Sequence, residues 1–280
     1  MNFLKGLWIG IRPKTLIVAA SPVLITCSYF YFLNKSYGKD QIIISLNILF
    51  AALIIQIISN LANDLFDFLK GADNKERVGP KRAVASGLIS PKLMKQVLIN
   101  LCGLAVIIGI PLVIIGGLNI LIIGILGIIL AFLYTASPIA LAYTGLAEIF
   151  SFLFFGPIAT YGTFYLLTNT FDYNIILIGI ITGCFSVALL TANNLRDYES
   201  DKKSNRKNFV IILGKNKAKI FYYIIQTIPS LAILTLSFFT TIKLLSSLSY
   251  LLLFIIEKNS FKLSLLSLIL ITIFFFLALY

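Results

Sequence analysis

The sequence predicts an all-α polytopic membrane protein of about nine transmembrane helices in two related halves, and three observations carry that prediction. Apolar runs of about 20 residues, each enough to cross roughly 30 Å of hydrocarbon, recur along the whole chain. Only 12% of the 280 residues are charged against 59% hydrophobic, and the mean hydropathy of +0.98 belongs to lipid rather than to a soluble core. Two Asn- and Asp-rich helix ends, at residues 60–73 and 193–201, lie about half a chain apart and read alike.

Taken in order, the spans are expected near residues 12–33, 42–68, 93–115, 118–136, 144–168, 174–198, 217–241, 243–257 and 262–280. They form one domain over residues 1–280, with halves of about 1–140 and 141–280. Lys5, Arg12 and Lys14 precede the first run, which lacks a clear small-residue cleavage site and is read as a retained span. A cytoplasmic N-terminus then places inside seven basic residues between Lys70 and Lys95, eight between Arg196 and Lys219, and Lys258 and Lys262. Twenty of the 23 Lys and Arg fall inside and only Lys35, Lys39 and Lys243 outside, the bias expected of a multi-pass protein of the cell's inner, cytoplasmic membrane. Spans two and six run in the same direction, so both acidic helix ends finish on the cytoplasmic side. The basic excess serves topology and anionic lipid, and no nucleic-acid partner is expected.

Composition also limits the chemistry. The chain has no His, which excludes His-based zinc sites, haem ligation by His and Ser-His-Asp triads. Cys27, Cys102 and Cys184 each sit inside an apolar run and read as small buried residues. What remains is carboxylate, amide, Lys, Arg and Tyr, an oxygen-rich set suited to Mg2+, Mn2+ or Ca2+.

In a helix, Asn60, Asn63, Asp64, Asp67 and Gly71 fall at i, i+3, i+4, i+7 and i+11, so two amides and two carboxylates share a face, with Asp73 just beyond. Asn193, Asp197 and Asp201 repeat the pattern at i, i+4 and i+8. Asn63-Asp64-Leu65-Phe66-Asp67 and Asn193-Asn194-Leu195-Arg196-Asp197 agree at the first Asn, the Leu and the last Asp, 130 residues apart. Carboxylates beside lipid are costly and mark a functional site. Nine of the eleven acids lie among the inner cations, the mixture a metal-bound diphosphate requires. Gly79-Pro80-Lys81-Arg82 breaks the helical pattern and can fold a basic loop back over the first acidic end. Glu148 stands one turn into an apolar helix and is expected to face a central cavity rather than lipid.

On these motifs the chain resembles the UbiA superfamily of intramembrane aromatic prenyltransferases. Asn63, Asp64, Asp67, Gly71 and Asp73 match its first motif, Asp197 and Asp201 its second. The menaquinone branch, the 1,4-dihydroxy-2-naphthoate polyprenyltransferases, is the most similar, through Arg12-Pro13-Lys14-Thr15-Leu16, Tyr134-Thr135, Gly145-Leu146-Ala147-Glu148 and the Gly71-to-Asp73 spacing. Asn205-Arg206-Lys207-Asn208 departs from the Gly-Lys-x-Thr-like stretch usual there.

The resemblance implies nine helices around a central cavity, and transfer of a polyprenyl group from its diphosphate to dihydroxynaphthoate, with loss of CO2. It implies Mg2+ held by Asn63, Asp64, Asp67, Asp73, Asp197 and Asp201, of which Asp67, Asp197 and Asp201 are the catalytic carboxylates. Lys81, Arg82, Arg196 and Lys207 would take the diphosphate, and Asn60, Tyr134, Glu148, Asn193 and Asn194 the substrates. Alternative acceptors are 4-hydroxybenzoate, haem or a chlorophyll precursor. A lipid phosphotransferase would carry a contiguous Asp-x-x-Asp-Gly-x-x-Ala-Arg element, which this sequence lacks. A cation-coupled transporter would place its acids near the bilayer midplane rather than at one face.

Overall fold

The computed structural model describes residues 2–71, 81–136, 140–203 and 206–239, which contain helices and connecting turns and no strand. A short helix α1 (Asn2–Ile11) leads into α2 (Pro13–Asn34). Between them Arg12 adopts φ 53°, in the left-handed region, and Pro13 opens α2 at a position where its fixed φ suits a helix start. The sequence signals no α1, because ten residues are too few to make a span. Its Gly6 and Gly10 are buried while Leu4 and Trp8 are exposed.

Helix α3 (Lys39–Leu69) carries the first motif on its last turns and stops at Lys70 and Gly71, the latter at φ +68°. Helical hydrogen bonding then runs through α4 (Pro91–Leu133), whose 43 residues would make a rod of about 65 Å at 1.5 Å per residue. Both of its ends nevertheless lie beside the C-terminal turns of α3. Met94 and Phe132 pack in one cluster with Leu65 and Ala83, and Lys70 donates to the Thr135 carbonyl at 2.6 Å. The chain therefore reverses within α4, at Gly117, where φ 61° and ψ −147° lie outside what a side chain tolerates. Its two arms are the expected third and fourth spans.

The fifth crossing is α5 (Ala147–Leu153), a π turn at residues Phe154–Ile158 around Pro157, and α6 (Ala159–Thr168). Helix α7 (Asn174–Arg196) packs into that break through Gly179 and Gly183. A Cβ on Gly179 would stand 2.7 Å from the Pro157 Cα, so these backbones meet only because side chains are missing. Short helices α8 (Tyr198–Lys203) and α9 (Phe209–Leu213) follow, then α10 (Lys215–Phe239). Among the described residues, five helices are long and apolar enough to cross a membrane. With α4 folded on itself and α10 in place of the seventh, the first seven expected spans stand as helices; the eighth and ninth lie outside the described residues.

The two largest of the bundle's four buried clusters lie on different helices. One joins α7 to α2 and α6 through Ile25, Tyr29, Phe164, Ile178 and Phe185; the other joins α3 to α4 through Ile58, Leu61, Leu65, Met94 and Leu98. Helix α7 is buried along most of its length, while α4 exposes Ile99, Ile107, Ile114 and Leu118. An apolar surface of that extent requires lipid. The protein is an all-α, multi-pass membrane protein.

Candidate active site at the ends of α3 and α7

Asp64 and Asp67 are both fully buried, at 0% exposure, one turn apart on α3. Asp64 accepts hydrogen bonds from the backbone N–H groups of Ala83 (2.7 Å) and Val84 (3.1 Å). It thereby holds Ala83 and Val84 against the end of α3; Gly79, Pro80 and the metal-ligand candidate Asp73 lie outside the described residues. Anchoring Ala83 turns Arg82 inward and leaves Lys81 exposed. Arg82 Nη2 reaches Asp67 Oδ2 at 3.1 Å, an ion pair with both partners buried.

Asp67 collects two further donors from distant parts of the chain. Tyr143 donates its hydroxyl to Oδ1 at 2.9 Å, and Arg206 Nη2 stands 3.3 and 3.2 Å from Oδ1 and Oδ2. The Arg206 guanidinium also pairs with Asp201 at 3.5 Å and lies over the Tyr143 ring at 4.6 Å, with Lys70 Nζ 5.0 Å from that ring. Arg206 thus joins the two acidic motifs. Burial alone would lower its pKa, but the charges of Asp67, Tyr143 and Asp201 outweigh that and raise it, so it stays cationic.

The second motif is held by neighbours. Arg196 pairs in bidentate fashion with Asp197, both contacts at 2.8 Å. Asp201 accepts from Asn208 Nδ2 at 2.7 Å, while Asn208 Oδ1 caps α9 by accepting from Ile211 N. Lys207, the cation selected from sequence, is exposed, and Arg206 is the one that faces the carboxylates. A signal was available. If Asn208 takes the capping place of the Thr in Gly-Lys-x-Thr, the Lys of that pattern falls on Arg206. Tyr143 and Arg12 also escaped selection as site residues.

Below these charges opens a cavity of about 370 Å³. On α3 its lining runs through Ile48, Ala52, Ile55, Ser59, Asn60 and Asn63, one helical stripe about 22 Å long. Its polar end carries Arg12, Asn60, Asn63, Tyr134 and Asn193; the rest is mainly apolar, with the hydroxyls of Ser59, Ser151, Thr163 and Ser186 among it. Arg12 Nη2 donates to Asn63 Oδ1 at 2.9 Å. Asn60 braces that arginine, donating to the Ile11 carbonyl (2.8 Å) and Thr15 Oγ1 (3.0 Å) and accepting from Gln56. Glu148 does not line this cavity, contrary to expectation. The helix containing it turns it toward α7, where it is buried and accepts from Asn194 Nδ2 at 3.1 Å. Asn194 is likewise set back, and only Asn193 of that pair reaches the cavity.

The site is a ring of carboxylates and cations over an apolar chamber, and the fold that carries it is found in known structures. A structure of a UbiA homolog from Archaeoglobus fulgidus bound to GPP and Mg2+ superposes with a TM-score of 0.72 at 16% identity, covering 100% of this chain and 98% of that one. The 1,4-dihydroxy-2-naphthoate octaprenyltransferase of Haemophilus influenzae is 32% identical over 245 residues, 85% of this chain and 79% of the relative. That of Bacillus subtilis is 33% identical over 212 residues, 76% and 67% of the two chains. Residues 23–280 match the UbiA prenyltransferase family, and the chain belongs to that family.

Proposed function

We propose that the protein transfers a polyprenyl group from a polyprenyl diphosphate to 1,4-dihydroxy-2-naphthoate, giving the quinol form of demethylmenaquinone, at the cytoplasmic face of the inner membrane. One observation carries the reading: carboxylates from two helix ends converge on a cationic cluster at the mouth of an apolar cavity. The octaprenyltransferases of Haemophilus influenzae and Bacillus subtilis support the acceptor, and the convergence of the two motifs supports a chain of two related halves.

The oxygen donors of Asn63, Asp67, Asp197 and Asp201 fit Mg2+, which commonly takes one or two carboxylates and completes its shell with phosphate and water. Bound there, Mg2+ would neutralise charge on the departing diphosphate. Asp64, pinned to two backbone amides, shapes the loop that presents Arg82.

The chain's own residues account for the remaining steps. Arg82, Arg206 and Arg12 offer guanidinium donors to phosphate oxygens, the geometry in which arginine exceeds lysine. The allylic C–O bond breaks, its electron pair leaving with the diphosphate. The prenyl carbon then bonds to the ring carbon that bears the carboxylate, and CO2 departs, returning its bonding pair to the ring. Apolar walls from α2 to α7 exclude water, which would otherwise capture the prenyl cation as an alcohol. Tyr134, Asn193 and Asn63 are the polar groups placed to orient the acceptor.

The test is prenyl transfer by purified protein in detergent with Mg2+, offering dihydroxynaphthoate or 4-hydroxybenzoate beside polyprenyl diphosphate. Product and CO2 from the naphthoate, lost with EDTA and in Asp67→Ala and Asp197→Ala, are expected. Transfer to the benzoate alone would overturn the acceptor; transfer to neither would reopen a cation-coupled transporter.

A further inference from the structure

We propose that Arg206 is a built-in competitor of the metal ion, a clasp that opens only when metal and diphosphate arrive together. The inference rests on the function proposed above and concerns the order in which its site fills.

Arg206 occupies the oxygens a metal would need. Its Nη2 faces both oxygens of Asp67, at 3.3 and 3.2 Å, and its Nη1 faces Asp201 Oδ1 at 3.5 Å. A Mg2+ ion draws ligand oxygens to about 2.0–2.1 Å, which leaves no room for a guanidinium on the same face of Asp67. Metal and arginine therefore exclude one another there.

Leaving is costly for Arg206 unless it gains a new partner. Its side chain is only 14% exposed, and its Nε has no hydrogen-bond partner among the described residues. A bare metal ion would displace it and offer nothing in return, stranding a buried cation. A metal-bound diphosphate offers phosphate oxygens in the fork geometry that guanidinium favours. The two ligands should then bind with positive coupling, and by linkage each raises the affinity of the other equally.

Arg82 does not serve this way. It contacts Asp67 through Oδ2, and the two residues after it are tied by their backbone to Asp64. Arg206 instead lies on the short connection between α8 and α9 and reaches a carboxylate of each motif.

Equilibrium dialysis of the full chain in detergent, reading protein-bound Mn2+ with and without inorganic diphosphate, tests the clasp without any turnover. Wild type should bind Mn2+ weakly alone and at least about tenfold more tightly with diphosphate, within the usual range of coupled sites. Arg206→Gln should bind Mn2+ alone about tenfold more tightly than wild type and lose most of the coupling. Arg206→Lys, a cation without the fork, should fall between them. Mn2+ affinity unchanged or weakened in Arg206→Gln, or an absence of coupling in wild type, overturns the clasp. Wild type that binds no Mn2+ even with diphosphate overturns the proposed function with it, whereas binding of both with no effect of Arg206→Gln removes the clasp alone.

Discussion

The ends of α3 and α7 carry nearly the same motif and are built in opposite ways. At α3 the two carboxylates are held by groups far away in sequence: residues 83 and 84 for Asp64, and residues 82, 143 and 206 for Asp67. At α7 the partners are local, with Arg196 beside Asp197 and Arg206 and Asn208 within seven residues of Asp201. Exposure follows the same division, with Asp67 at 0% and the Asp197 side chain at 13%. The first half is a preformed socket fixed by tertiary structure, and the second a shorter-range arm that can adjust against it. Equal motifs do not imply equal mechanics.

Substitutions can break this contrast, and the largest effect belongs to the socket. Asp67→Ala removes the shared anchor of Arg82, Arg206 and Tyr143 and should lower prenyl transfer by about 10³-fold or more, measured as product formed per enzyme. It also removes the carboxylate that Arg82 and Arg206 share, with an expected stability loss of about 3–5 kcal/mol by denaturation in detergent. Asp64→Ala leaves two buried N–H groups without acceptors at about 1–3 kcal/mol each, and its loop should become a site of early proteolysis. A loop that stays protected would show that the socket does not depend on Asp64.

Effects at the arm should be smaller. Asn208→Ala removes both a cap of α9 and a donor to Asp201 and should cost about 1–2 kcal/mol in the same denaturation series. Arg196→Ala breaks a pair that is one-third exposed, so its stability cost should be at most about 1 kcal/mol. Lys207→Ala should change neither stability by more than about 0.5 kcal/mol nor activity by more than a small factor. A large loss in Lys207→Ala would mean that the exposed lysine reaches the site during turnover.

Much of this was legible beforehand because lipid imposes simple rules. Long apolar runs located α2, α3, α5 to α7 and both arms of α4. The shared faces of residues 60–67 and 193–201 placed the site at two helix ends. What stayed hidden depends on geometry that no periodicity encodes. Asp64 and Asp67 stand on one face, yet one holds backbone and the other faces cations, a split decided by where Ala83 comes to rest. Arg206 and Lys207 are chemically similar neighbours in a connection without helical pattern, so only the fold selects between them. The π turn at residues Phe154–Ile158 shifts the faces of the helix it interrupts, and Glu148 lies just before it.

The two arginines on Asp67 also differ in when they come to exist. A ribosome adding about 5–20 residues per second makes Arg82 within roughly three seconds of Asp67, but Arg206, 139 residues on, only after about 7–28 seconds. A carboxylate entering the bilayer in that interval would stand uncompensated if Arg206 were its sole partner. Arg82 is therefore the partner available to Asp67 first during synthesis, and Arg206 can join it only once most of the chain has been made.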